Sequence, residues 1–256
     1  MPNDRVCEVC LGADAERVSA YCTSQWPVVR CAQCGFVFLH HVPDYGALSE
    51  EYAWEVTRAA EKKRRSALAL GRIDAVTRWR MTLTRLVRRQ RVRLTRGRVL
   101  DIGCGGGCRI PEGPTPFGIE VSQGLAQQAR PRFQARGGDV VHAPALTGLD
   151  AFGDDTFTAI IMRSYLEHEA QPRAVLTKAF ARLEKGGIVY VRVPNFGSVN
   201  RRVMGVRWCG FRFPDHVNYF SGSTLRKMAE QIGFRYRRIN WYSLLDDNLI
   251  VELHKA

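Results

Sequence analysis

Four cysteines near the start of the chain have the spacing of ligands to a single metal ion. Cys7 and Cys10 form one Cys-x-x-Cys pair, and Cys31 and Cys34 form a second pair twenty residues later. Each pair turns tightly enough to aim two thiolates at one ion, and two such pairs suit a tetrahedral zinc site. A redox-active pair would not explain why there are two. The pattern predicts a structural zinc ion that replaces a core too small to form in this short segment.

A glycine-rich turn later in the chain predicts a site for a nucleoside-containing ligand. The apolar run that begins at Val99 carries one acid, Asp101, and breaks into several glycines. Backbone N–H groups in such a turn approach a ligand closely because glycine has no Cβ. The turn lacks the Gly-Lys-Ser/Thr ending of a phosphate loop, and Cys108 stands at the third glycine position of the dinucleotide fingerprint. A second short strand ends at Glu120, nineteen residues after Asp101, where a carboxylate suits ribose hydroxyls.

Alternating strands and helices must position these residues. Apolar runs predict strands near 98–102, 117–120, 139–142, 157–162 and 188–193, and helices near 122–130 and 172–184. This alternation is typical of a doubly wound parallel α/β sheet with right-handed crossovers. Ser221 or Ser223 caps a further helix that Gly233 ends, and strands over 234–241 and 248–254 follow. The cysteine-containing segment is expected to add strands around 26–30 and 36–39.

Length and charge divide the chain into three predicted parts. Its 256 residues, 45% of them hydrophobic, allow one substantial domain and a small one. We expect a zinc ribbon over 1–45, a basic helical connector over 46–97 and the α/β domain over 98–256. The formal net charge of +13 is concentrated between 58 and 98, where fifteen Lys or Arg stand against two acids. That segment is either a solvated amphipathic helix or a surface for the phosphate of a nucleotide sugar, an anionic lipid or RNA.

Neither a membrane span nor a targeting segment is expected. No apolar run reaches the length of about eighteen residues that a helix needs in order to cross a membrane. The first residues, Met-Pro-Asn-Asp-Arg, contain no apolar signal region. Eight cysteines in a chain of this kind argue against a disulfide scaffold. We therefore expect the protein in the cytoplasm.

Several motifs, in this order, resemble those of class I S-adenosylmethionine-dependent methyltransferases. Asp101-Ile-Gly-Cys-Gly-Gly-Gly and Gly118-Ile-Glu resemble the first two motifs, and Tyr165-Leu-Glu-His resembles the signature after the fourth strand. Pro214-Asp-His-Val-Asn-Tyr-Phe-Ser resembles the closing motif of one large subgroup. The chain is similar to the ubiquinone O-methyltransferase-like group, with a zinc-ribbon module of the kind that precedes methyltransferase domains in bacterial sugar and natural-product pathways. The resemblance implies a seven-stranded Rossmann-like sheet whose last strand is antiparallel.

The resemblance also implies S-adenosylmethionine as the cofactor. Asp101 and the glycine turn would hold its methionine end, and Glu120 would accept both ribose hydroxyls. The predicted cofactor-binding residues are Asp101, Gly103, Cys104, Gly105, Glu120, Val121, Ala145, Leu146 and Arg163. The chain departs from the family pattern at two places. Only nine residues, three of them proline, separate Gly107 from Phe117, where the family has a full helix. No acid stands at the usual adenine position unless Asp139 or Asp150 takes that role, and the backbone of Ala145 and Leu146 is the alternative contact for the ring.

Two histidines are the predicted catalytic residues. His216 matches a histidine that faces the acceptor in related enzymes as a general base or an orienting group; the alternative is a structural role in fixing the loop over 195–220. His168 follows Glu167 at the place where ubiquinone-type O-methyltransferases bind a divalent metal through Glu-x-x-Glu-His. Here Ser164 replaces the first glutamate, which favours a role for Glu167 and His168 in shaping the pocket floor. The aromatic residues and arginines of the loop are expected to cover the acceptor.

These observations leave three functions open. The leading one is methyl transfer to a small or carrier-linked acceptor, such as a sugar, a nucleotide sugar or a natural-product hydroxyl. The zinc ribbon and the basic segment favour an RNA methyltransferase as the alternative, although the Asn/Asp-Pro-Pro-Tyr/Phe motif of amino-directed nucleic-acid enzymes is absent after the fourth strand. The shortened connection and the missing adenine acid fit a non-catalytic binding module. We expect a low-molecular-weight acceptor as partner and an anionic group or membrane surface at 58–98, with nucleic acid less favoured.

Overall fold

Two sheets and the helices beside them make up most of what the computed structural model describes, namely residues 5–23, 25–42, 96–107, 110–240 and 246–256. The ranges Met1–Pro43 and Leu94–Ala256 form one compact unit, and Asp44–Arg93 form another. The second unit lies outside the described residues, and with it most of the predicted connector and of the basic segment 58–98. The predicted domain boundaries therefore stay predictions.

The strands and helices alternate over most of the chain after residue 97. In chain order the strands are β1 (Ala15–Arg17), β2 (Val28–Cys31), β3 (Val37–Leu39), β4 (Arg98–Ile102), β5 (Thr115–Glu120), β6 (Asp139–His142), β7 (Phe157–Arg163), β8 (Leu183–Pro194), β9 (Asn218–Tyr219), β10 (Phe234–Arg238) and β11 (Asn248–Lys255). The helices are α1 (Gln123–Gln134), α2 (Ala145–Gly148), α3 (Pro172–Arg182), α4 (Val199–Met204) and α5 (Gly222–Ile232). Single 3-10 turns cover Ser19–Tyr21, Leu149–Ala151 and Gly205–Arg207.

The larger sheet has seven strands in the order β10-β11-β8-β7-β4-β5-β6. β4 pairs in parallel with β5 and with β7, and β7 pairs in parallel with β8. β11 is antiparallel to both of its neighbours, β8 and β10. These pairings confirm the predicted α/β class, the doubly wound sheet and the antiparallel last strand.

The predicted helix ends are set by identifiable side chains. Ser122 caps α1, where its hydroxyl accepts the N–H of Leu125 at 3.3 Å. Ser221, one of the two predicted caps of α5, exchanges hydrogen bonds with Thr224, and Gly233 ends that helix with a φ of +115°. α3 ends at Arg182, two residues before its predicted end, because Leu183 already belongs to β8.

The smaller sheet has the order β1-β2-β3-β9 and joins the N-terminal segment to a distant part of the chain. β9 is antiparallel to β3, with Val37 opposite Tyr219 and Phe38 opposite Asn218. The sequence did not predict β1, because a strand of three residues is too short to show an alternating pattern.

One hydrophobic core runs from the N-terminal segment into the larger sheet. Cys7, Val9, Phe36 and Phe38 belong to the same buried cluster as the apolar residues of β4, β7, β8 and β11. The rings of Phe36 and Phe220 lie 5.1 Å apart, so β3 and the start of α5 share this core. In the part of the chain that the structure describes, no helix combines the length and the apolar character needed to cross a membrane.

Candidate functional site

The carboxyl ends of four neighbouring parallel strands bring the predicted cofactor residues to one edge of the sheet. β7, β4, β5 and β6 lie side by side, and the strand order reverses between β4 and β7. Ligands of doubly wound sheets bind at such a reversal. The turn after β4, Val121 after β5, Ala145 and Leu146 after β6, and Arg163 at the end of β7 all lie at this edge.

The turn after β4 is held against β5 by the backbone. The N–H groups of Gly103 and Cys104 donate to the carbonyl of Ile119 at 2.9 and 3.3 Å. Gly103 and Gly105 have positive φ angles of +70° and +55°, which favour glycine. A Cβ on Gly105 would meet nothing within 4 Å, so the backbone at this point has open space before it. The turn thus presents the close backbone approach that the sequence predicted.

Glu120 braces this turn through both carboxylate oxygens. Oε2 accepts the N–H of Gly105 at 2.7 Å, and Oε1 accepts the N–H of Ser122 at 3.0 Å. Each carboxylate oxygen has two acceptor sites, so these bonds leave capacity for ribose hydroxyls. The predicted ribose contact stays a prediction, and the structure adds a second role in shaping the turn.

Asp101 and Cys104 lie inside the protein at this edge. Asp101 is fully buried in β4 between Gly118 of β5 and Ile161 of β7. The Cys104 side chain covers Gly118, where a Cβ would lie 2.7 Å from Sγ. Gly118 is therefore required for the close packing of β5 against the turn.

The adenine end of the predicted site is formed by α2 and the residues before it. The Nε2 atom of His142 lies 3.0 Å from the carbonyl of Val121. Lys178 donates to the carbonyl of Leu146 at 2.9 Å and pairs with Asp150 at 2.6 Å. Asp150 is thus engaged in an ion pair, and the backbone N–H groups of the first turn of α2 remain the candidate donors for a ring.

An arginine stabilises the shortened connection between β4 and β5. In the described residues of this connection, 103–107 and 110–114, there is no helix. The guanidinium of Arg136, just after α1, donates to the carbonyls of Ile110 at 3.1 Å and Pro114 at 2.9 Å, and also to that of Pro111. Arg136 therefore ties down a segment that the prolines prevent from forming a long helix.

Two histidines and a glutamate meet beside the carboxyl end of β7. Glu167, His168 and His216 each offer one ligand atom, and these atoms lie within 4.8 Å of one another. Glu167 is 2% exposed and His216 is 5% exposed, whereas His168 is partly exposed. The two imidazole rings stand edge to face with centroids 4.7 Å apart. The structure thus joins the two predicted catalytic histidines in one cluster.

Backbone carbonyls and burial set the protonation of both rings. His168 Nδ1 lies 2.8 Å from the carbonyl of Asp215, and His216 Nδ1 lies 2.8 Å from the carbonyl of Gly210. Burial lowers the pKa of His168 to about 4, against a smaller opposing effect of the Asp215 carbonyl. Burial, His168 and Arg212 hold the pKa of His216 well below its usual value. Both rings are therefore neutral at neutral pH, with Nδ1 protonated.

The two segments of the cluster are joined by hydrogen bonds. The carbonyl of Glu167 accepts the N–H groups of Val217 at 2.8 Å and Asn218 at 3.1 Å. The Asn218 side-chain amide donates to the carbonyls of Leu166 and Glu169 at 2.8 and 2.6 Å. The segment that carries His216 is consequently fixed to the turn that carries His168.

The four predicted zinc ligands lie together. The sulfurs of Cys7 and Cys34 are 3.4 Å apart, as are those of Cys10 and Cys31, and all four lie within 4.8 Å of one another. A tetrahedral zinc ion with bonds of about 2.3 Å requires sulfurs about 3.8 Å apart, so the cluster fits zinc. Burial raises the pKa of Cys31, but hydrogen bonds from the Cys34 backbone and the Cys10 thiol outweigh it and lower that pKa to about 7.

The aromatic residues of the loop over 195–220 pack on the N-terminal segment. Trp208 is 2% exposed and Phe196 is 7% exposed, and they share a second hydrophobic cluster with Val28, Val37 and Leu39. Trp208 also donates to Asp247 at 3.1 Å. The expected role of these two rings in stacking on an acceptor is therefore replaced by a role in the core.

Sequence reasoning missed Arg5, which links the N-terminal segment to the histidine cluster. Its guanidinium donates to the carbonyls of Leu39 at 3.3 Å, Val217 at 3.2 Å and Ala170 at 2.9 Å. No local pattern around Arg5 signals these contacts, because each of its partners lies far along the chain.

Comparisons with known proteins agree with this geometry. A family model described as a methyltransferase domain matches residues 48–239. The ubiquinone biosynthesis O-methyltransferase of Dinoroseobacter shibae is 26% identical over 146 residues, which cover 53% of this chain and 59% of that protein. The chain thus spans about three-fifths of that relative's length.

A solved structure shares the fold. A SAM-dependent methyltransferase from Archaeoglobus fulgidus superposes with a TM-score of 0.51 at 16% identity, over 69% of this chain and 94% of that one. Identity at this level supports the fold alone, whereas the family model spans most of the chain. The chain belongs to the methyltransferase domain family, which confirms the predicted resemblance to class I S-adenosylmethionine-dependent methyltransferases.

Proposed function

We propose that this chain transfers a methyl group from S-adenosylmethionine to a small or carrier-linked acceptor, such as a hydroxyl of a sugar, a nucleotide sugar or a natural product. The observation that carries the proposal is the position of Tyr165 between the glycine turn and the histidine cluster. A Cβ on Gly103 would lie 3.2 Å from the Tyr165 ring, and the carbonyl of Tyr165 accepts the N–H of His168 at 2.9 Å. Tyr165 therefore contacts the glycine turn with its ring and the His168 backbone with its carbonyl.

Methyl transfer depends more on the alignment of the acceptor oxygen with the methyl group than on a strong base. Methyl transfer from a sulfonium is an in-line displacement, so the enzyme gains most by holding the acceptor oxygen against the methyl group. The acceptor hydroxyl becomes acidic as its bond to carbon forms. A neutral imidazole that accepts a hydrogen bond from this hydroxyl can then take the proton late in the reaction. We assign this role to His216 or His168, with the other ring as its support.

The cofactor assignment rests on the turn after β4 and on Glu120. We propose that the backbone of Gly103 and Gly105 binds the methionine end, and that the Glu120 carboxylate accepts the ribose hydroxyls. The four-cysteine cluster is proposed to hold a structural zinc ion.

An acceptor search with labelled cofactor tests the proposal. The full chain is incubated with methyl-labelled S-adenosylmethionine and a cell extract, and half of the extract is treated first with nuclease. We expect label in the low-molecular-weight fraction of both halves. Label that appears only in macromolecules and disappears after nuclease treatment would favour the RNA alternative. Binding of the cofactor with no label in any fraction would favour a non-catalytic binding module.

A further inference from the structure

We propose that a cavity between α5 and β10 is a binding site for a small phosphate ester. The cavity has a volume of about 790 Å³, which is in the usual range of small-molecule sites. Its lining comes from these two elements, with Arg226, Lys227 and Glu230 on α5 and Tyr236 and Arg238 on β10. None of the residues assigned above to the cofactor, the acceptor or zinc lies in this lining. The inference concerns binding and stands apart from the proposed methyl transfer.

The periods of a helix and a strand bring these side chains to one place. The lining residues of α5 follow the spacing of a single helix face, since they are Ser223, Arg226, Lys227, Glu230 and Gln231. On β10, alternate residues point to the same side of the sheet, so Tyr236 and Arg238 share one side. A polar face of the helix therefore lies opposite a polar pair on the strand.

Tyr236 and Arg238 each carry a buried donor that lacks an acceptor. Neither the Tyr236 hydroxyl nor the Arg238 Nε atom has a hydrogen-bond partner among the described residues, although both atoms are buried. Burial raises the pKa of Tyr236, against the opposing charges of Arg238 and Arg226, so the phenol keeps its proton and can donate. A guanidinium can only donate. Because buried donors in native proteins nearly always have an acceptor, this pair indicates a ligand that brings acceptor oxygens.

The charge of the lining favours phosphate over a carboxylate. Arg226, Lys227 and Arg238 are three cations, and Glu230 is the one acid among the described lining residues, which gives a net charge of +2. Glu230 is paired with Arg226 at 3.2 Å. A phosphate monoester carries a charge of about −1.5 to −2 at pH 7 and three strong acceptor oxygens. It therefore matches both the charge and the two waiting donors, whereas a carboxylate would balance half of the charge.

The position of the donors favours a small molecule over a polynucleotide. A Cβ on Gly222 would lie 3.6 Å from the Tyr236 hydroxyl, so this hydroxyl sits against the first turn of α5. The Arg226 guanidinium lies over the Tyr236 ring, 5.4 Å from its centroid. The two donors are thus confined between one helix and one strand. Binding of RNA instead depends on several phosphate contacts spread along a surface.

Calorimetric titration of the full chain with ribose 5-phosphate tests the site. Saturating S-adenosylhomocysteine is present, because it fills the proposed cofactor site and has no methyl group to transfer. We expect one equivalent of ribose 5-phosphate to bind. Arg238→Met should weaken this binding at least about tenfold, because it removes a charged donor. The matched control Arg235→Met removes an exposed arginine from the other side of the same strand and should bind as the wild type does.

Tyr236→Phe gives a readout that a purely structural role would not produce. Without ligand, this variant loses a buried hydroxyl that has no acceptor, so it should unfold at the wild-type temperature or above it. With ribose 5-phosphate it should be stabilised less than the wild type, because the hydroxyl no longer donates to the ligand. If Arg238→Met does not fold, Lys227→Met, at an exposed position of α5, replaces it in the titration.

Two further probes identify the source of the phosphate. A short oligoribonucleotide and vesicles that contain phosphatidic acid are titrated in the same way. Binding of either one that is lost in Arg238→Met, in a chain that does not bind ribose 5-phosphate, would overturn the small-molecule assignment. Absence of binding by all three probes would overturn the site itself. So would binding of ribose 5-phosphate that Arg238→Met and Tyr236→Phe leave unchanged.

Discussion

The guanidinium of Arg5 donates to the Oδ1 atom of Asn218 at 2.9 Å, across 213 positions of the chain. On its other side, Asn218 donates to carbonyls of the turn that carries Glu167 and His168. Arg5 and Asn218 therefore connect β3, the His216 segment and the turn after β7. The segment over 5–42, which carries the four clustered cysteines and is called the cysteine module below, is therefore part of the framework that holds His168 and His216 in place.

Replacing Arg5 with methionine should lower the free energy of unfolding by about 2–4 kcal/mol. Burial lowers the pKa of Arg5 to about 10, so the side chain is charged at neutral pH, and the substitution leaves several buried carbonyls without their charged donor. Urea denaturation measures the change. Arg30→Met, at an exposed position of β2, is the control and should differ from wild type by less than about 0.5 kcal/mol. Equal losses in the two variants would contradict the role assigned to Arg5.

Replacing Glu120 with alanine should weaken S-adenosylmethionine binding at least about tenfold. The change removes a charged acceptor worth about 1.5–3 kcal/mol and also frees the N–H of Gly105. Glu120→Gln keeps one accepting oxygen and should fall between alanine and wild type in calorimetry. Glu112→Ala, an exposed acid in the connection after β4, is the control. Unchanged affinity in Glu120→Ala would remove this residue from the site.

Removing zinc should loosen the His216 segment as well as the cysteine module. β9 completes the sheet that begins with β1, and Phe36 packs against Phe220, so the loss of the metal reaches residues 213–220. Hydrogen exchange after chelation should show faster exchange over 5–42 and 213–220, with β4 and β7 still protected. Chelator added to Cys31→Ser should cause little further change. A cysteine module that loses protection while 213–220 keeps it would refute the coupling.

Gly118→Ala should destabilise the fold by about 1–3 kcal/mol, because the added methyl group is forced against neighbouring side chains. The new Cβ would lie 2.7 Å from Cys104 Sγ and 2.9 Å from Phe133. Cys104→Ala removes the nearer atom, so the double variant should recover part of the loss. A double-mutant cycle in urea measures this coupling. Strictly additive effects would show that Cys104 does not limit the space at Gly118.

Arg136→Met should destabilise the connection between β4 and β5 and weaken cofactor binding several-fold. Three carbonyls of the connection lose their donor, and the segment that follows the glycine turn is freed. Calorimetry and thermal unfolding report the two effects. Arg235→Met removes an exposed arginine of β10 and serves as the control. Wild-type cofactor affinity in Arg136→Met would show that cofactor binding at the glycine turn does not depend on the connection between β4 and β5.

Most strands of the larger sheet could be predicted because each can be recognised from the residues of its own segment. β4 and β7 are apolar runs bounded by turn residues, and Ser221 and Gly233 mark the ends of α5 by their own chemistry. Their parallel order follows from the alternation with helices. The grouping of the four cysteines could also be predicted, because the spacing of the two Cys-x-x-Cys pairs already indicates a shared site.

Contacts between distant segments could not be predicted from such local patterns. The pattern around His216 does not show that it meets Glu167 and His168, since the meeting depends on the hydrogen bonds of Val217 and Asn218 to another turn. Trp208 illustrates the same limit. A large aromatic residue in a loop suits both a binding surface and a core, and only the packing against the smaller sheet decides between them.

The pairing of β3 with β9 also sets an order of events during protein synthesis. Val37 can pair with Tyr219 only after the ribosome has added about 180 further residues. At ordinary elongation rates this synthesis takes on the order of ten to forty seconds. Over that time the outer edge of β3 lacks its partner strand, and Phe36 packs on Phe38 without its second ring contact, Phe220. The four cysteines, in contrast, are complete once Cys34 has emerged. The zinc ion proposed for these cysteines would then hold the nascent N-terminal segment together until its last strand has been synthesised.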